Sequence, residues 1–378
     1  MRANVLLVVL LAAAACGDGV PKPAAMDPVS ADEAAALARA FDDAIAPCDV
    51  AKLEPLFDSE TVARRIVQKA SIRADEKRAG LTELSRRNFS VGKQLCAGFA
   101  KDTRFDLLRV RQAGATNRPL FRMLSDGTLN YYDLELGKSK ATGVVRIVDL
   151  HIYVSGEELT TTLANLIEQG LAAEHRGQST KGFQDISAAR QSGDWAGVRR
   201  IVESLPARLR GTKAVSLIEL QAAMQQDAPD YLELIERFER AFPDDPALEM
   251  MAIDGHFLRK NPAALLAAIE RLDRRVGGDP YLAHLRSSAF LMETTPDNLR
   301  QAERWARAAT DAMPDLQDAW WNLATAQLQR GDYAVVVSTL DILISRFEIT
   351  FDRDAMAAEE VYRGFLASPE FTAWWARQ

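Results

Sequence analysis

The stretch that decides the fold of the second half of the chain is residues 318–343, DAWWNLATAQLQRGDYAVVVSTLDIL. Apolar and small side chains recur every three or four positions on both sides of Gly331-Asp332. That spacing places one apolar stripe on each of two helices. Glycine readily adopts the left-handed conformation that ends a helix, and aspartate is a favoured cap for the next helix. The stretch therefore predicts two helices joined by a tight turn, with an apolar face that neighbouring helices must cover.

The order of residues in this stretch resembles the tetratricopeptide repeat (TPR), a two-helix unit of about 34 residues. The residues that carry the resemblance are Trp320, Leu323, Ala324, Gly331, Asp332 and Tyr333. Gln327 and Val336 stand where the family usually has tyrosine and alanine. The resemblance implies a stack of helix pairs whose first helices line a groove for a partner protein or peptide.

The pattern recurs upstream in the same register. Gly193-Asp194-Trp195 repeats Gly331-Asp332-Tyr333 at an offset of 138 residues. Prolines 206, 243, 280 and 314 follow one another at steps of 37, 37 and 34 residues. Residues 181–350 therefore predict about five helix pairs, and residues 351–378 predict C-terminal capping helices. The pairs are expected to begin near Lys181, Gly211, Asp245, Pro280 and Asp315.

Residues 30–173 follow a different pattern. Ser30 and Glu33 have the spacing of a capping box at the start of a helix, and further short helices follow. From Arg104 the apolar period falls to two, and four such runs separated by polar turns predict an antiparallel meander. An α+β layout of this kind resembles the cone-shaped fold of the nuclear transport factor family.

The predicted fold class is therefore an α+β N-terminal domain (helices plus a four-stranded antiparallel meander) followed by an all-α, TPR-like solenoid of helical hairpins. The polar segment between residues 173 and 181 is the expected boundary.

The N-terminal residues predict a targeting segment. Residues 1–15 combine Arg2 with an apolar run of eleven residues, which is too short to span a bilayer as a helix. The run ends in Ala-Ala-Ala-Cys16, which resembles a bacterial lipoprotein box. That resemblance implies acylation of Cys16, insertion of the acyl chains into a lipid bilayer, and a tether over residues 16–29. Because Gly17 follows the cysteine, it also implies an outer-membrane lipoprotein that faces the periplasm. A plain secretory signal is the alternative.

Cys48 and Cys96 are the two remaining cysteines, and in an oxidising compartment they are candidates for a disulfide. The alternative is a pair of buried thiols. Only four histidines occur and none lies near either cysteine, so the sequence predicts no metal site and no cofactor.

The sequence lacks the short motifs that mark common catalytic and phosphate-binding sites. The chain has no phosphate-binding glycine loop, no His-Glu-x-x-His and no nucleophile elbow. His151 and Tyr153 on the fourth strand would line a pocket only if the sheet curled around one. The strand acids Asp133, Glu135 and Asp149 could act as general bases only if they faced a dry cavity that raised their pKa. A solvated sheet face is expected for them instead. The net charge of −7 argues against a nucleic-acid partner.

The TPR register places several side chains on the predicted groove. From the best-matched pair these are Trp321, Asn322, Thr325 and Gln329, and from weaker pairs His284, Ser287, Glu249 and His256. Trp320 already fills the packing position between helices. Trp321 is therefore expected either to be an exposed anchor for a partner or to pack against the C-terminal helices.

The function that the sequence favours is a non-catalytic scaffold: a membrane-anchored periplasmic lipoprotein that binds a protein or peptide through its solenoid. The alternative is a small-ligand or enzymatic role of the α+β domain, with the solenoid recruiting the substrate. A third possibility is an envelope protein whose solenoid only self-associates.

Overall fold

The computed structural model describes residues 26–86, 89–96, 103–125, 128–174 and 181–377. The predicted signal segment, Cys16 and most of the tether lie outside these ranges, as do residues 175–180 of the predicted boundary.

The described part begins with a short strand and a series of helices. These are β1 (Met26–Asp27), α1 (Ala31–Ile45), α2 (Val50–Leu53), α3 (Ser59–Lys69), α4 (Ala74–Arg86) and α5 (Val91–Cys96). The predicted capping box is confirmed at the start of α1. The Ser30 backbone N–H donates to the Glu33 carboxylate at 3.0 Å, and the Glu33 N–H donates to Ser30 Oγ at 3.3 Å. Two backbone N–H groups at this helix end, which have no partner within the helix, are hydrogen-bonded in this way.

The predicted four-stranded meander is confirmed. The long strands are β2 (Arg104–Ala113), β3 (Thr116–Ser125), β4 (Thr128–Ser139) and β5 (Val145–Ile152), and the two-residue strand β6 (Glu157–Glu158) pairs with β5. Neighbouring strands are antiparallel in the order β2-β3-β4-β5-β6, and β1 pairs with β4. The sequence did not predict β1 and β6, because two residues are too few to show a period.

The core of this sheet lies against α1. Phe41 of α1 is buried, and its ring centroid lies 5.0 Å from that of Phe121 on β3 and 6.4 Å from that of Phe105 on β2. Leu134 and Leu150, on β4 and β5, are buried in the same cluster. Alternate residues of each strand face this core, so the residues between them lie on the opposite face of the sheet.

Helices make up the described chain after the sheet. After α6 (Leu159–Glu174), most of them follow one another in twos along the chain, each two joined by a short turn. These are α7 (Lys181–Gln191) with α8 (Trp195–Ser204), then the short α9 (Ala207–Arg210), α10 (Lys213–Met224) with α11 (Tyr231–Ala241), α12 (Leu248–Leu258) with α13 (Pro262–Val276), α14 (Tyr281–Leu291) with α15 (Pro296–Ala312), and α16 (Gln317–Arg330) with α17 (Tyr333–Phe347). The chain ends with α18 (Arg353–Ala358), α19 (Arg363–Leu366) and α20 (Pro369–Trp375).

The two Gly-Asp turns share one backbone conformation and differ in their caps. Gly193 and Gly331 both have positive φ, +70° and +75°. Asp194 caps α8, since its carboxylate accepts a hydrogen bond from the Gly197 N–H at 2.7 Å. Asp332 occupies the same position before α17 but makes no side-chain cap; its carboxylate instead lies 2.8 Å from Nε of Arg330. Asp332 is therefore the N-cap residue of α17, as predicted, but its side chain does not cap the helix.

The chain divides into two compact units, residues 1–250 and residues 251–378, and the division falls within α12. In the first unit Lys213, the first residue of α10, joins β6 to the turn before α12. Lys213 Nζ lies 2.7 Å from the Glu157 carboxylate and 2.8 Å from that of Asp245, and all three side chains are largely buried. The sheet and the helices up to residue 250 are thus joined by direct contacts.

An aromatic cluster fills the C-terminal end of the second unit. Trp374 of α20 is fully buried with Phe365 and Phe371, against Val336 and Leu340 of α17. Its indole N–H donates to the Asp341 carboxylate at 2.7 Å. Trp375 is half-buried and stacks on Phe371 at 5.5 Å. The last helix pair therefore has its apolar end covered by the C-terminal helices.

Candidate functional site

The candidate site lies on two neighbouring helices of the second unit, α14 and α16. Both are first helices of their pairs, and they pack side by side with α15 against them. Asn322 on α16 joins them: its Nδ2 lies 2.8 Å from Ser288 Oγ, 3.1 Å from His284 Nδ1 and 3.3 Å from the His284 carbonyl oxygen. All three acceptors lie on α14, so the amide nitrogen of Asn322 is held toward that helix.

The carboxamide oxygen is the other polar atom of the Asn322 side chain. It accepts none of the hydrogen bonds found among the residues that the structure describes, and the side chain is half-exposed. An amide whose nitrogen is held in place presents its oxygen as a fixed acceptor. The face between α14 and α16 therefore offers a hydrogen-bond acceptor whose direction is set before any ligand arrives.

His284 is the buried member of this group. Burial lowers the pKa of its imidazole from the ordinary value of 6.5, and the Asp318 carboxylate opposes that shift only in part. The ring is therefore neutral at pH 7, and its Nδ1 can accept the hydrogen bond from Asn322. Protonation would put an N–H where the Asn322 amide already donates, so the contact requires the neutral ring.

We expect this contact to make stability depend on pH. In wild type the free energy of unfolding should fall as pH drops below about 6.5, because the unfolded chain binds a proton at His284 before the folded chain does. Denaturant titrations at pH 7.5, 6.5, 5.5 and 5.0 measure this. His284→Gln keeps an acceptor near Asn322 and removes the titration, so its pH dependence should be shallower. Superimposable pH profiles would contradict the assignment.

The remaining predicted groove residues of α16 differ in exposure. Thr325 is half-buried and Gln329 is exposed. Trp321 is half-buried, and its ring meets Phe351 edge-on at 5.9 Å. Phe351 in turn lies 5.5 Å from Trp374, so Trp321 leans against the C-terminal cluster while part of its ring stays in solvent. Its neighbour Trp320 donates its indole N–H to the Pro314 carbonyl at 2.9 Å.

The residues predicted from the weaker pairs are placed differently. Ser287 is fully buried and donates to the Ala302 carbonyl on α15 at 2.8 Å, so it packs inside its own helix pair and cannot contact a partner. Ser288, one position later, is the residue that faces Asn322. His284, predicted together with Ser287, does contact Asn322, so on α14 the prediction is wrong for Ser287 only. Glu249 and His256 are both half-buried on α12; Glu249 falls in the first compact unit and His256 in the second.

Two of the three strand acids are buried, contrary to the prediction of a solvated face, and the third, Glu135, is partly exposed. Asp133 is 3% exposed and Asp149 is 2% exposed. Asp133 pairs with Arg111, and its carboxylate also lies 2.8 Å from Nε of Arg118. Asp149 lies 3.4 Å from Lys69 Nζ and accepts a hydrogen bond from the Thr160 N–H. The strand alternation indicated which residues share this face, but it could not indicate that the face is covered.

The cations on this face of the sheet change the pKa of the Glu135 carboxyl group. Burial alone would raise its pKa, but the ion pair with Arg65 at 2.9 Å, together with Arg118 and Lys69, lowers it below the ordinary value. A general base that works near neutral pH needs the opposite shift. The lowered pKa of Glu135 is the shift expected of an ion-paired carboxylate.

His151 and Tyr153 take part in the same network. The Tyr153 hydroxyl accepts a hydrogen bond from Arg111 at 3.1 Å, and its ring meets that of His151 edge-on at 5.2 Å. His151 Nδ1 lies 3.6 Å from the Glu158 carboxylate. Four acids (Asp133, Glu135, Asp149 and Glu158) are thus gathered with four cations (Arg65, Lys69, Arg111 and Arg118). The formal charges of this group balance without a ligand.

A disulfide joins Cys48, just after α1, to Cys96 at the end of α5, with their Cα atoms 5.7 Å apart. It fixes α5 beside the core of the sheet. Glu54 holds the other end of α5, since its carboxylate accepts a hydrogen bond from the Gly92 N–H at 2.9 Å. The described residues contain no group of three or more His, Cys, Asp or Glu side chains placed to hold a metal ion. Within the same ranges, every helix is too short or too polar to cross a membrane.

Comparison with known proteins finds no relative of this chain. The chain matches no protein-family model, no curated protein and no solved structure.

Proposed function

We propose that this protein is a non-catalytic scaffold whose helix pairs form a TPR-like solenoid and whose α14–α16 face binds an extended segment of a partner protein. The observation that carries the proposal is the fixing of Asn322 by His284 and Ser288. The first helices of two successive pairs are thereby held side by side, and the Asn322 side chain that joins them is partly exposed.

The chemistry of this face suits a peptide main chain. An extended peptide presents backbone N–H groups that need acceptors, and the Asn322 oxygen supplies one without having to be ordered on binding. Trp321 has ring surface left in solvent, and Gln329 can both donate and accept hydrogen bonds. Tryptophan is among the residue types most enriched at binding hot spots.

The two Gly-Asp turns support the repeat assignment. Gly193 and Gly331 occupy the same place in their helix pairs, have nearly the same φ, and lie 138 residues apart in sequence. The repeats between them are assigned by the spacing of the helix pairs.

The proposed location is the bacterial cell envelope, with acylated Cys16 inserted in the outer membrane and the folded chain in the periplasm. The disulfide between Cys48 and Cys96 supports an oxidising compartment, because structural disulfides are rare in reducing ones. Several acyl chains on one cysteine give stable anchoring, at roughly 0.8 kcal/mol per buried methylene.

Metabolic labelling tests the anchor. Cells that express the full chain should incorporate radiolabelled palmitate into wild type and not into Cys16→Ala, because the acyl chains are attached to the thiol and the new N-terminus of that residue. Cys48→Ala with Cys96→Ala serves as the control and should label like wild type. Equal labelling of wild type and Cys16→Ala would exclude acylation at this residue.

An enzymatic role for the sheet is the weaker candidate. Each buried carboxylate on its polar face already has a cationic partner, and the pKa of Glu135 is lowered. We therefore assign that face to stability and propose the helical face for function.

A further inference from the structure

The charged side chains of α14 and α16 differ in whether they are paired. At neutral pH the two helices carry three charged residues, Arg286, Asp318 and Arg330. Arg286 lies 2.6 Å from the Asp273 carboxylate, and Arg330 lies 2.8 Å from the Glu303 carboxylate. Asp318 is exposed and makes no ion pair with any residue that the structure describes. One unpaired negative charge therefore remains on these two helices.

This unpaired carboxylate lies on the side of α16 that carries Asn322. Asp318, Asn322, Thr325 and Gln329 follow one another at steps of four, three and four residues, which places them along one side of the helix. The Asp318 carboxylate also acts on the buried His284 imidazole of α14, where it opposes the fall in pKa that burial causes. Its charge is therefore felt at the contact between the two helices, and Asp318 belongs to the α14–α16 face.

The α14 side of this face supplies no cation. Leu285, Ser288 and Met292 are spaced by three and four residues and are half-buried, and Ser288 is the residue that contacts Asn322. On α16, Trp321 keeps part of its ring in solvent. A ligand on the face thus meets one carboxylate, part of an indole ring, apolar side chains and neutral polar groups.

The carboxylate and the indole ring are close together on α16. Asp318 and Trp321 are three residues apart, and residues at that spacing are neighbours on a helix surface. Tryptophan is the aromatic side chain that attracts cations most strongly. The dipole of α16 also favours an acid in its first turn, but that effect needs no ligand and does not involve Trp321. The two neighbouring side chains together favour a positively charged group.

We infer that the segment bound at the α14–α16 face carries a lysine or arginine whose charged group pairs with Asp318 beside Trp321. The inference rests on the function proposed above and adds the charge of the partner. An acidic segment would be repelled by Asp318 and would find Arg286 and Arg330 already paired. The 251–378 unit has 18 acidic against 14 basic residues, so its overall charge also attracts a basic segment.

Fluorescence polarisation with the full chain in mild detergent tests the inference. The probes are three fluorescein-labelled octapeptides, Gly-Val-Ser-Xaa-Thr-Val-Ser-Gly, in which Xaa is arginine, citrulline or glutamate. Citrulline has the shape of arginine without its charge. We expect the arginine probe to bind with a Kd on the order of 100 µM. The citrulline probe should bind about fivefold more weakly, and the glutamate probe more weakly still.

Variants of the chain locate the charge effect. Asp318→Asn should weaken binding of the arginine probe about threefold, as expected for the loss of one exposed ion pair, and should leave the citrulline probe unchanged. Asp318→Lys should bind the glutamate probe more tightly than the arginine probe. Asp311→Asn removes another exposed acid that has no ion pair among the described residues, so it is the matched control and should behave as wild type. Asn322→Ala should weaken all three probes by a similar factor.

Four results would overturn the inference. If the three probes bind equally and all lose affinity in Asn322→Ala, the face binds peptides regardless of charge, and the proposed function stands alone. If Asp318→Asn has the circular dichroism spectrum of wild type and binds the arginine probe as tightly, Asp318 does not pair with the ligand. If acetyl-arginine amide displaces the probe as well as the unlabelled peptide does, the site takes a small cation. If no probe binds up to about 1 mM, the proposed function fails together with the inference.

Discussion

Trp374→Ala should lower the free energy of unfolding of the second compact unit by about 3–5 kcal/mol, the usual range for removing a fully buried tryptophan. The indole lies at the centre of the C-terminal cluster, with ring centroids 5.5 Å from Phe351, 5.9 Å from Phe365 and 6.1 Å from Phe371. Its loss would leave a cavity among these rings and would remove the hydrogen bond to Asp341. Urea denaturation followed by circular dichroism measures the change.

Trp375→Ala is the matched control. Trp375 is the next residue of the same helix, is half-buried and contacts mainly Phe371 and Trp374. Its removal exposes less surface and leaves no enclosed cavity, so we expect a loss of about 1–2 kcal/mol. If the two variants lose the same stability, the C-terminal helices are not held by Trp374 as the structure shows.

Gly156→Ala should destabilise the first compact unit by about 2–4 kcal/mol. Gly156 has φ +66°, and an added Cβ would lie 2.5 Å from the Ala247 nitrogen and 2.8 Å from the Pro246 carbonyl carbon. Both are backbone atoms, which cannot rotate away as a side chain can. The displaced turn also carries Asp245, so its movement would disturb the pairing with Lys213.

Gly143→Ala separates the two causes of the Gly156→Ala loss, which are the left-handed backbone conformation and the clash of the added Cβ with the 245–247 turn. Gly143 has nearly the same φ, +69°, but nothing lies within 4 Å of the position where its Cβ would be. This variant should lose only the conformational part, about 1–2 kcal/mol. Thermal and urea unfolding of both variants provide the comparison. Equal losses would show that the loop at Gly156 is not pressed against the 245–247 turn.

The strands and helices in which apolar residues recur at a regular spacing were predictable from the sequence. The strands β2–β5 follow from an apolar period of two, and the helix pairs follow from periods of three and four. The capping box at Ser30 was predictable because it depends on two residues only three positions apart. The two-residue strands β1 and β6 were not, since their pairing depends on where the long strands bring them.

The candidate site was predictable only in part. Trp321, Asn322, Thr325 and Gln329 follow from one well-matched helix, and the structure places them on one helix side. Ser287 was assigned in place of Ser288, because α14 has apolar residues around most of its circumference and its register is ambiguous. The buried acids of the sheet were taken as solvated for a related reason. A sequence alternation reveals a shared face, whereas the cover over that face comes from α3 and α6, which are distant in sequence.

Site-specific photo-crosslinking tests the central claim, that the α14–α16 face binds a partner chain. A benzophenone amino acid replaces Gln329 on this face, or Val335 on α17 as the exposed control, in the full chain expressed in its own cells. We expect discrete crosslinked products from position 329 and none from position 335. Adding Asn322→Ala to the first variant should remove those products while the protein stays folded. The same products from both positions, or products at 329 that persist without Asn322, would contradict a binding face built around that residue.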